Sequence, residues 1–117
     1  MEEKECKLSY KGCIYNLYPL RDSIEVLGPK WRIQILVVIK YGNESFTAIQ
    51  KALETISPRI LSKELKVLEE NGLLVREISN TYPITIRYKW TLHTETIVPI
   101  MDSLKAWGEV HRDHLFK

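Results

Sequence analysis

Residues 56–72 read Ile-Ser-Pro-Arg-Ile-Leu-Ser-Lys-Glu-Leu-Lys-Val-Leu-Glu-Glu-Asn-Gly, and the reading of this stretch decides the fold. It carries a full set of helix boundaries. The Ser57 hydroxyl can accept a bond from a first-turn backbone N–H that has no helical partner. Pro58 suits the first helical position, where no N–H is needed and φ is already set. Asn71-Gly72 supplies the stop, because Gly72 can turn left-handed after the last residue. Leu61, Leu65 and Leu68 recur at intervals of four and three, so they form one apolar stripe. Arg59, Ser62, Lys63 and Lys66 fall largely on the other side. From Ser57 to Lys66 three cations face Glu64 alone, a local balance of 3 − 1 = +2. A helix with a leucine back and small polar or cationic residues near its start fits a DNA major groove. Taken alone, the same pattern also describes an amphipathic helix with a solvated charged face. Its neighbours separate the two readings.

On the N-terminal side, Glu44-Ser45-Phe46 is a short extended link. Thr47 is placed to cap a helix that runs to about Leu53, with Ile49 and Leu53 facing inward. Glu54-Thr55-Ile56 then turns the chain into the 57–71 helix, which makes a helix-turn-helix. On the C-terminal side the apolar period drops from about 3.6 to 2. Leu74 to Ile78 is one predicted strand. From Ile84, the residues Ile84, Ile86, Tyr88, Trp90 and Leu92 alternate with Thr85, Arg87, Lys89 and Thr91, which predicts a second strand. Ser79 to Pro83 is the loop between them. A hairpin directly after the second helix of a helix-turn-helix is a wing. The predicted class is therefore α+β, mainly α: a winged helix-turn-helix with a two-stranded wing.

Further out, Lys30 to Tyr41 reads as a helix through Trp31, Ile35, Val38 and Ile39, closed by Gly42-Asn43. The run Ile35 to Ile39 also suits a buried strand, and length favours the helix. Leu20, Ile24 and Leu27 suggest a two-turn helix ended by Gly28-Pro29. No period emerges from residues 1–18, although Tyr10, Ile14, Tyr15, Leu17 and Tyr18 can pack; they are taken as an arm. The last element runs from about Glu95 to His114, with Pro99 tolerated in its first turn. Its stripe of Ile97, Met101, Leu104, Trp107, His111 and Leu115 exceeds what a small domain needs for its own core. Ile97, Ile100, Met101, Leu104, Trp107 and His111 are the expected contacts with a second copy of the chain. The expected organisation is an arm over 1–18, a DNA-binding domain over 19–93 and a C-terminal dimerisation helix over 94–117.

Composition bounds the rest. With 117 residues, 44% hydrophobic and 27% charged, the chain reads as one globular domain with an extension. A formal charge of +2 permits nucleic acid without requiring it. Cys6 and Cys13 are too few for a disulfide framework and too far apart for C-x-x-C, so reduced thiols in a cytoplasmic chain are expected. The acidic start Met1 to Glu5 is no signal peptide, and Ile35 to Ile39 is too short to span a bilayer. His111 and His114, three residues apart, read as packing or solvent residues in preference to metal ligands. No metal, no cofactor and no catalytic set is expected.

Taken together, these residues resemble the HxlR-type family of small prokaryotic winged helix-turn-helix regulators, over about Pro19 to Gly108. The landmarks are Leu27-Gly28-Pro29-Lys30-Trp31, then Ile56 to Leu65, then Leu68-Glu69-Glu70-Asn71-Gly72-Leu73-Leu74. Tyr82-Pro83, the Arg87-Tyr88 strand end with Thr91, and Ala106-Trp107-Gly108 follow. The resemblance implies a homodimer that binds operator DNA through paired recognition helices and wings. Two departures stand out. The family often has Cys-Pro where this chain has Tyr18-Pro19, so the usual sensing thiol is absent. The family's Leu-Thr-x-x-Gly becomes Trp90-Thr91-Leu92-His93-Thr94. The expected DNA-contacting set is Ser57, Pro58, Arg59, Ser62, Lys63 and Lys66 on the helix, with Asn80, Thr81 and Tyr82 at the wing tip and Arg87 at its base. An effector, whether a small molecule or an oxidant acting on Cys6 or Cys13, is left open. So is the alternative of a winged-helix module that binds protein and never reads DNA.

Overall fold

Two glycines set where the core helices stop. The computed structural model describes residues 10–117, with side chains from Leu17 onward. After α1 (Tyr10–Leu27) come α2 (Arg32–Lys40), α3 (Phe46–Leu53) and α4 (Pro58–Glu70). At the end of α2 the chain turns left-handed at Gly42, φ +105°, and at the end of α4 at Gly72, φ +76°. Asn43 and Gly42 donate their N–H groups to Val38 and Ile39, both at 3.0 Å. Leu73 and Gly72 repeat the pattern on Leu68 and Glu69, at 2.9 and 3.0 Å. This paired closure satisfies last-turn carbonyls and needs a residue without Cβ at the turn. Both predicted stops are therefore in place.

The starts divide. Ser57 is extended (φ −77°, ψ 152°), its Oγ accepts from Ile60 N–H at 3.1 Å, and Pro58 opens α4 as expected. In α3 the cap is Ser45, not Thr47. Ser45 is extended (φ −90°, ψ 159°) and its Oγ accepts from Ala48 N–H at 3.1 Å, which leaves Thr47 inside the first turn. Between the two helices Glu54 takes φ +61°, a left-handed value that a side chain seldom adopts, and makes the turn tight.

The core gathers Ile35, Leu36 and Ile39 of α2, Ile49 of α3, and Ile56, Leu61, Leu65 and Leu68 around α4. Leu73, Leu74 and Ile97 complete it. Each such side chain contributes about 1.5–3 kcal/mol when fully buried. Ile97, expected at the dimer face, is 7% exposed and belongs to this core.

β1 (Leu74–Ile78) and β2 (Ile86–Trp90) pair antiparallel, with Leu74 opposite Trp90 and Ile78 opposite Ile86. Glu44 adds one strand-like contact, accepting from Tyr88 N–H at 2.8 Å. The Trp90 indole donates to the Leu36 carbonyl at 2.9 Å and anchors the hairpin on α2. The second strand is shorter than the alternation suggests. Ile84 lies in the loop and Leu92 in a 3₁₀ segment (Leu92–Ile97), and both are exposed. Thr91 ends the strand by donating its hydroxyl to the Gly72 carbonyl at 2.6 Å. Thr94, where the resembling pattern has glycine, is fully buried and donates to the Leu73 carbonyl. These bonds pull the chain out of sheet geometry, so the apolar side chain of Leu92 never reaches the core.

α1 corrects the arm. It is one helix of 18 residues that passes through Pro19, so the expected boundary at 18/19 falls inside a continuous element. Proline removes one helical bond, but Pro19 is exposed, and a carbonyl on an exposed face can bond to water. Residues 1–9 with Cys6, and the side chains of Tyr10, Cys13, Ile14 and Tyr15, lie outside the described residues. α5 (Val98–Leu115) closes the chain, with Pro99 in its first turn. Among the described residues no helix is long and apolar enough to cross a membrane.

Candidate nucleic-acid interface

The inward leucines of α4 dictate what its other face presents. With Leu61, Leu65 and Leu68 buried, Arg59, Ser62, Lys63 and Lys66 stand exposed together along the first three turns. Glu70 follows Lys66 by one turn and is exposed too, so the cationic stripe ends in an acid. A phosphate backbone is attracted by the front of this helix and repelled by its end. The positive end of the helix dipole adds to the attraction at the front.

Glu64 had counted against this balance, and the structure removes it from the surface. Its side chain is 11% exposed and receives the Arg32 Nε at 2.6 Å. Sequence reasoning missed this pair, although Glu64 stands three residues after Leu61 and four before Leu68, on the leucine side. The exposed charges between Ser57 and Lys66 are therefore Arg59, Lys63 and Lys66 with no acid among them. Among the described residues none of these three cations holds an ion pair. Cations elsewhere do: Lys40 meets Glu95 at 3.2 Å, while Arg87 and Lys89 share Glu44 at 3.5 and 3.6 Å. Unpaired cations on one outward helix face are poised for an external anion.

The hairpin loop holds Asn80, Thr81 and Tyr82 at the tip of the wing, all exposed, Tyr82 at 95%. Ser79 organises the loop, accepting from Thr85 N–H at 3.0 Å and donating to the Thr81 carbonyl at 3.3 Å. The Tyr82-Pro83 peptide is cis. Arg87 sits at the base, where its pair with Glu44 ties β2 to the start of α3. The Arg87 side chain stays 60% exposed.

A second surface is apolar. α5 has no buried residue and, among the described residues, lies chiefly against the 3₁₀ segment before it. Ile100, Leu104, Trp107 and Val110 are all exposed, as are Leu17, Leu20 and Ile24 of α1. Met101 differs: it is half-buried and packs on the core. The Trp107 and His111 rings stack at 4.9 Å, and His111 stacks on His114 at 6.4 Å. Among the described residues no group of three or more His, Cys, Asp or Glu is assembled that could hold a metal ion. A cleft of about 290 Å³ opens between α2 and α5, walled by Val37, Tyr41, Trp90 and Met101, with Lys40 and Lys105 at its rim.

Comparison with known proteins agrees with this geometry. A family model described as HxlR-like helix-turn-helix matches residues 26–115. The HTH-type transcriptional regulator YdeP of Bacillus subtilis is 26% identical over 117 residues, spanning 100% of this chain and 91% of that protein. An HTH-type transcriptional regulator of Methanothermobacter thermautotrophicus is 30% identical over 92 residues, 79% of this chain and 70% of its own. Among solved structures, the redox regulator HypR in its reduced form superposes with a TM-score of 0.76 at 30% identity, covering 83% of this chain and 96% of that one. The HTH-type regulator ytcD superposes equally, at 0.76 and 26% identity, over 80% and 96% of the two chains.

Proposed function

Because the chain belongs to the HxlR-like helix-turn-helix family, we propose that it works as a homodimer reading operator DNA with paired copies of α4 and the wing. The chain is a DNA-binding transcriptional regulator, in keeping with its family, its relatives and its structural neighbours. The observation that supports the assignment of the site is the stripe of Arg59, Lys63 and Lys66, outward and without an ion pair among the described residues, while the acid beside them is turned inward. Arg59 and Ser62, near the N-terminus of α4, reach base edges, and Lys63 and Lys66 meet phosphates. The Ser57-Pro58 start lets the backbone come close to the strand. Asn80, Thr81 and Tyr82 touch the backbone or minor groove beside it, with Arg87 supporting them from below.

The dimer forms through the apolar faces of α5 and α1, with Ile100, Leu104, Trp107 and His111 at its centre. A location in the cytoplasm, where the DNA is, goes with this role. Regulation comes from a small molecule or an oxidant. The structural likeness to a redox regulator makes Cys13, carried on α1, the thiol to examine, since Tyr18 occupies the family's usual cysteine position.

Selecting bound sequences from a random DNA pool, then titrating selected and scrambled DNA over a range of salt, tests this reading. The selected site is expected to bind at least about a thousandfold more tightly than scrambled DNA. Both affinities fall steeply as salt rises, because bound phosphates release counterions. Binding that ignores salt and sequence would return the chain to a protein-interaction role.

A further inference from the structure

We propose that Arg32 is a positioning residue that locks the recognition helix to the end of α1 and so sets the half-site spacing the dimer accepts. This inference rests on the dimeric DNA-reading function above. The Arg32 guanidinium, carried on α2, meets two other elements at once. Nε donates to Glu64 Oε1 on α4 at 2.6 Å. Nη1 donates to the carbonyls of Glu25 and Val26, each at 3.1 Å. Those two carbonyls belong to the last turn of α1, whose C=O groups lack helical donors. A cation there is also favoured by the negative end of the helix dipole.

The side chain is 13% exposed and its partner 11%. A buried ion pair gains little stability over an apolar pair of the same volume, because desolvating both charges offsets their attraction. What it adds is direction. A planar guanidinium bonded through Nε on one side and Nη1 on another fixes the angle between the two helices it joins. Glu64 is turned into the chain while Arg59, Lys63 and Lys66 are exposed, so the link holds the helix from its inner side. α1 in turn carries the exposed Leu17, Leu20 and Ile24 assigned to the dimer face. Val26 and Leu27 pack the end of α1 on the same core as Leu61, Leu65 and Leu68, and Arg32 adds the directional polar link from that end to the recognition helix. In a two-fold dimer, half-sites sit one helical turn apart, and the relative setting of the two recognition helices decides that spacing.

The test uses the full-length protein and the selected operator, alongside operators with one base pair added or removed between the half-sites. Arg32→Met with Glu64→Leu replaces the ion pair by apolar side chains of similar size. Wild type is expected to prefer its own spacing, and the double variant to lose roughly 2- to 30-fold of that preference. Its dimer by sedimentation and its affinity for random DNA stay as in wild type, since no contacting residue has changed. Arg32→Lys, which keeps the charge but not the fork, falls in between. Glu64→Gln, which keeps the shape but removes the charge that strengthens the bond, is the second variant should the double variant fail to fold, and it is expected to weaken the spacing preference less than the double variant does. A folded, dimeric variant that keeps full spacing discrimination overturns the proposal and reduces Arg32 to a stabilising role. Wild type that binds the selected operator without spacing preference also overturns it and leaves the function standing. Wild type that binds no DNA removes the function itself.

Discussion

Helices α4 and α5 are both amphipathic, yet their apolar stripes have opposite fates. In α4 the stripe of Leu61, Leu65 and Leu68 is buried inside the chain, and even the acid among them is paired. α5, at 18 residues the longer helix, has no buried residue, and its Leu104 and Trp107 stand 51% and 63% exposed. The difference shows which face of each helix faces the outside world. Once an apolar face is satisfied internally, the polar face is what a helix offers, and α4 offers unpaired cations. Where the apolar face is left open over several turns, that face is the offer, and the proposed dimer covers it with a second copy.

The largest test of this contrast is to poison the open face. Leu104→Asp together with Trp107→Asp places two charges where a partner would bury them. Dimer dissociation by sedimentation is expected to rise at least about 100-fold, leaving monomers or insoluble protein, because buried aromatic and aliphatic anchors dominate such interfaces. A well-folded dimer at unchanged affinity would move the interface away from α5.

A gentler comparison sets one leucine against the other. Leu68→Ala opens a cavity in a closed core, so urea unfolding should show a loss of about 2–5 kcal/mol. That loss does not depend on protein concentration. Leu104→Ala removes contacts in the dimer, so its melting temperature falls below that of wild type where the dimer is populated and converges on wild type as dilution separates the subunits. If the two variants respond alike to dilution, the distinction between the helices is wrong.

What the sequence made legible follows the same division. Local chemistry was readable: Ser57-Pro58 at a start, Gly42 and Gly72 at stops, and an alternating strand all act within a few residues. The exposed cations of α4 were readable from the leucine period for the same reason. Features that need a distant partner were not. Glu64 reads as one more surface charge until Arg32, thirty-two residues earlier, is packed beside it. Leu92 and Ile84 extend the strand pattern, but bonds from Thr91 and Thr94 back to Gly72 and Leu73 cut the strand short. Ile97 fits the stripe of α5 as well as it fits the core, and its place just before that helix decides for the core. In α1 the period of Leu20, Ile24 and Leu27 marked only the second half of the helix, and there Leu20 and Ile24 stand exposed.

The smallest effects concern how α4 divides its labour, and they separate two cations on one face. Arg59 lies in the first turn, where a groove-inserted helix brings side chains to base edges. Lys66 lies two turns on, next to the acid Glu70, where only the flanking phosphates remain within reach. Arg59→Ala should therefore relax sequence preference, by about 1–3 kcal/mol at the base it reads. Its binding to scrambled DNA changes little. Lys66→Ala should weaken operator and scrambled DNA alike and lower the slope of affinity against salt by about one unit per subunit. Titrating both variants against the two DNAs at several salt concentrations gives each effect separately. Full discrimination in Arg59→Ala would mean that the front of α4 reads no base there. An unchanged salt slope in Lys66→Ala would shorten the DNA-facing stripe to its first two turns, with Lys63 as its last cation.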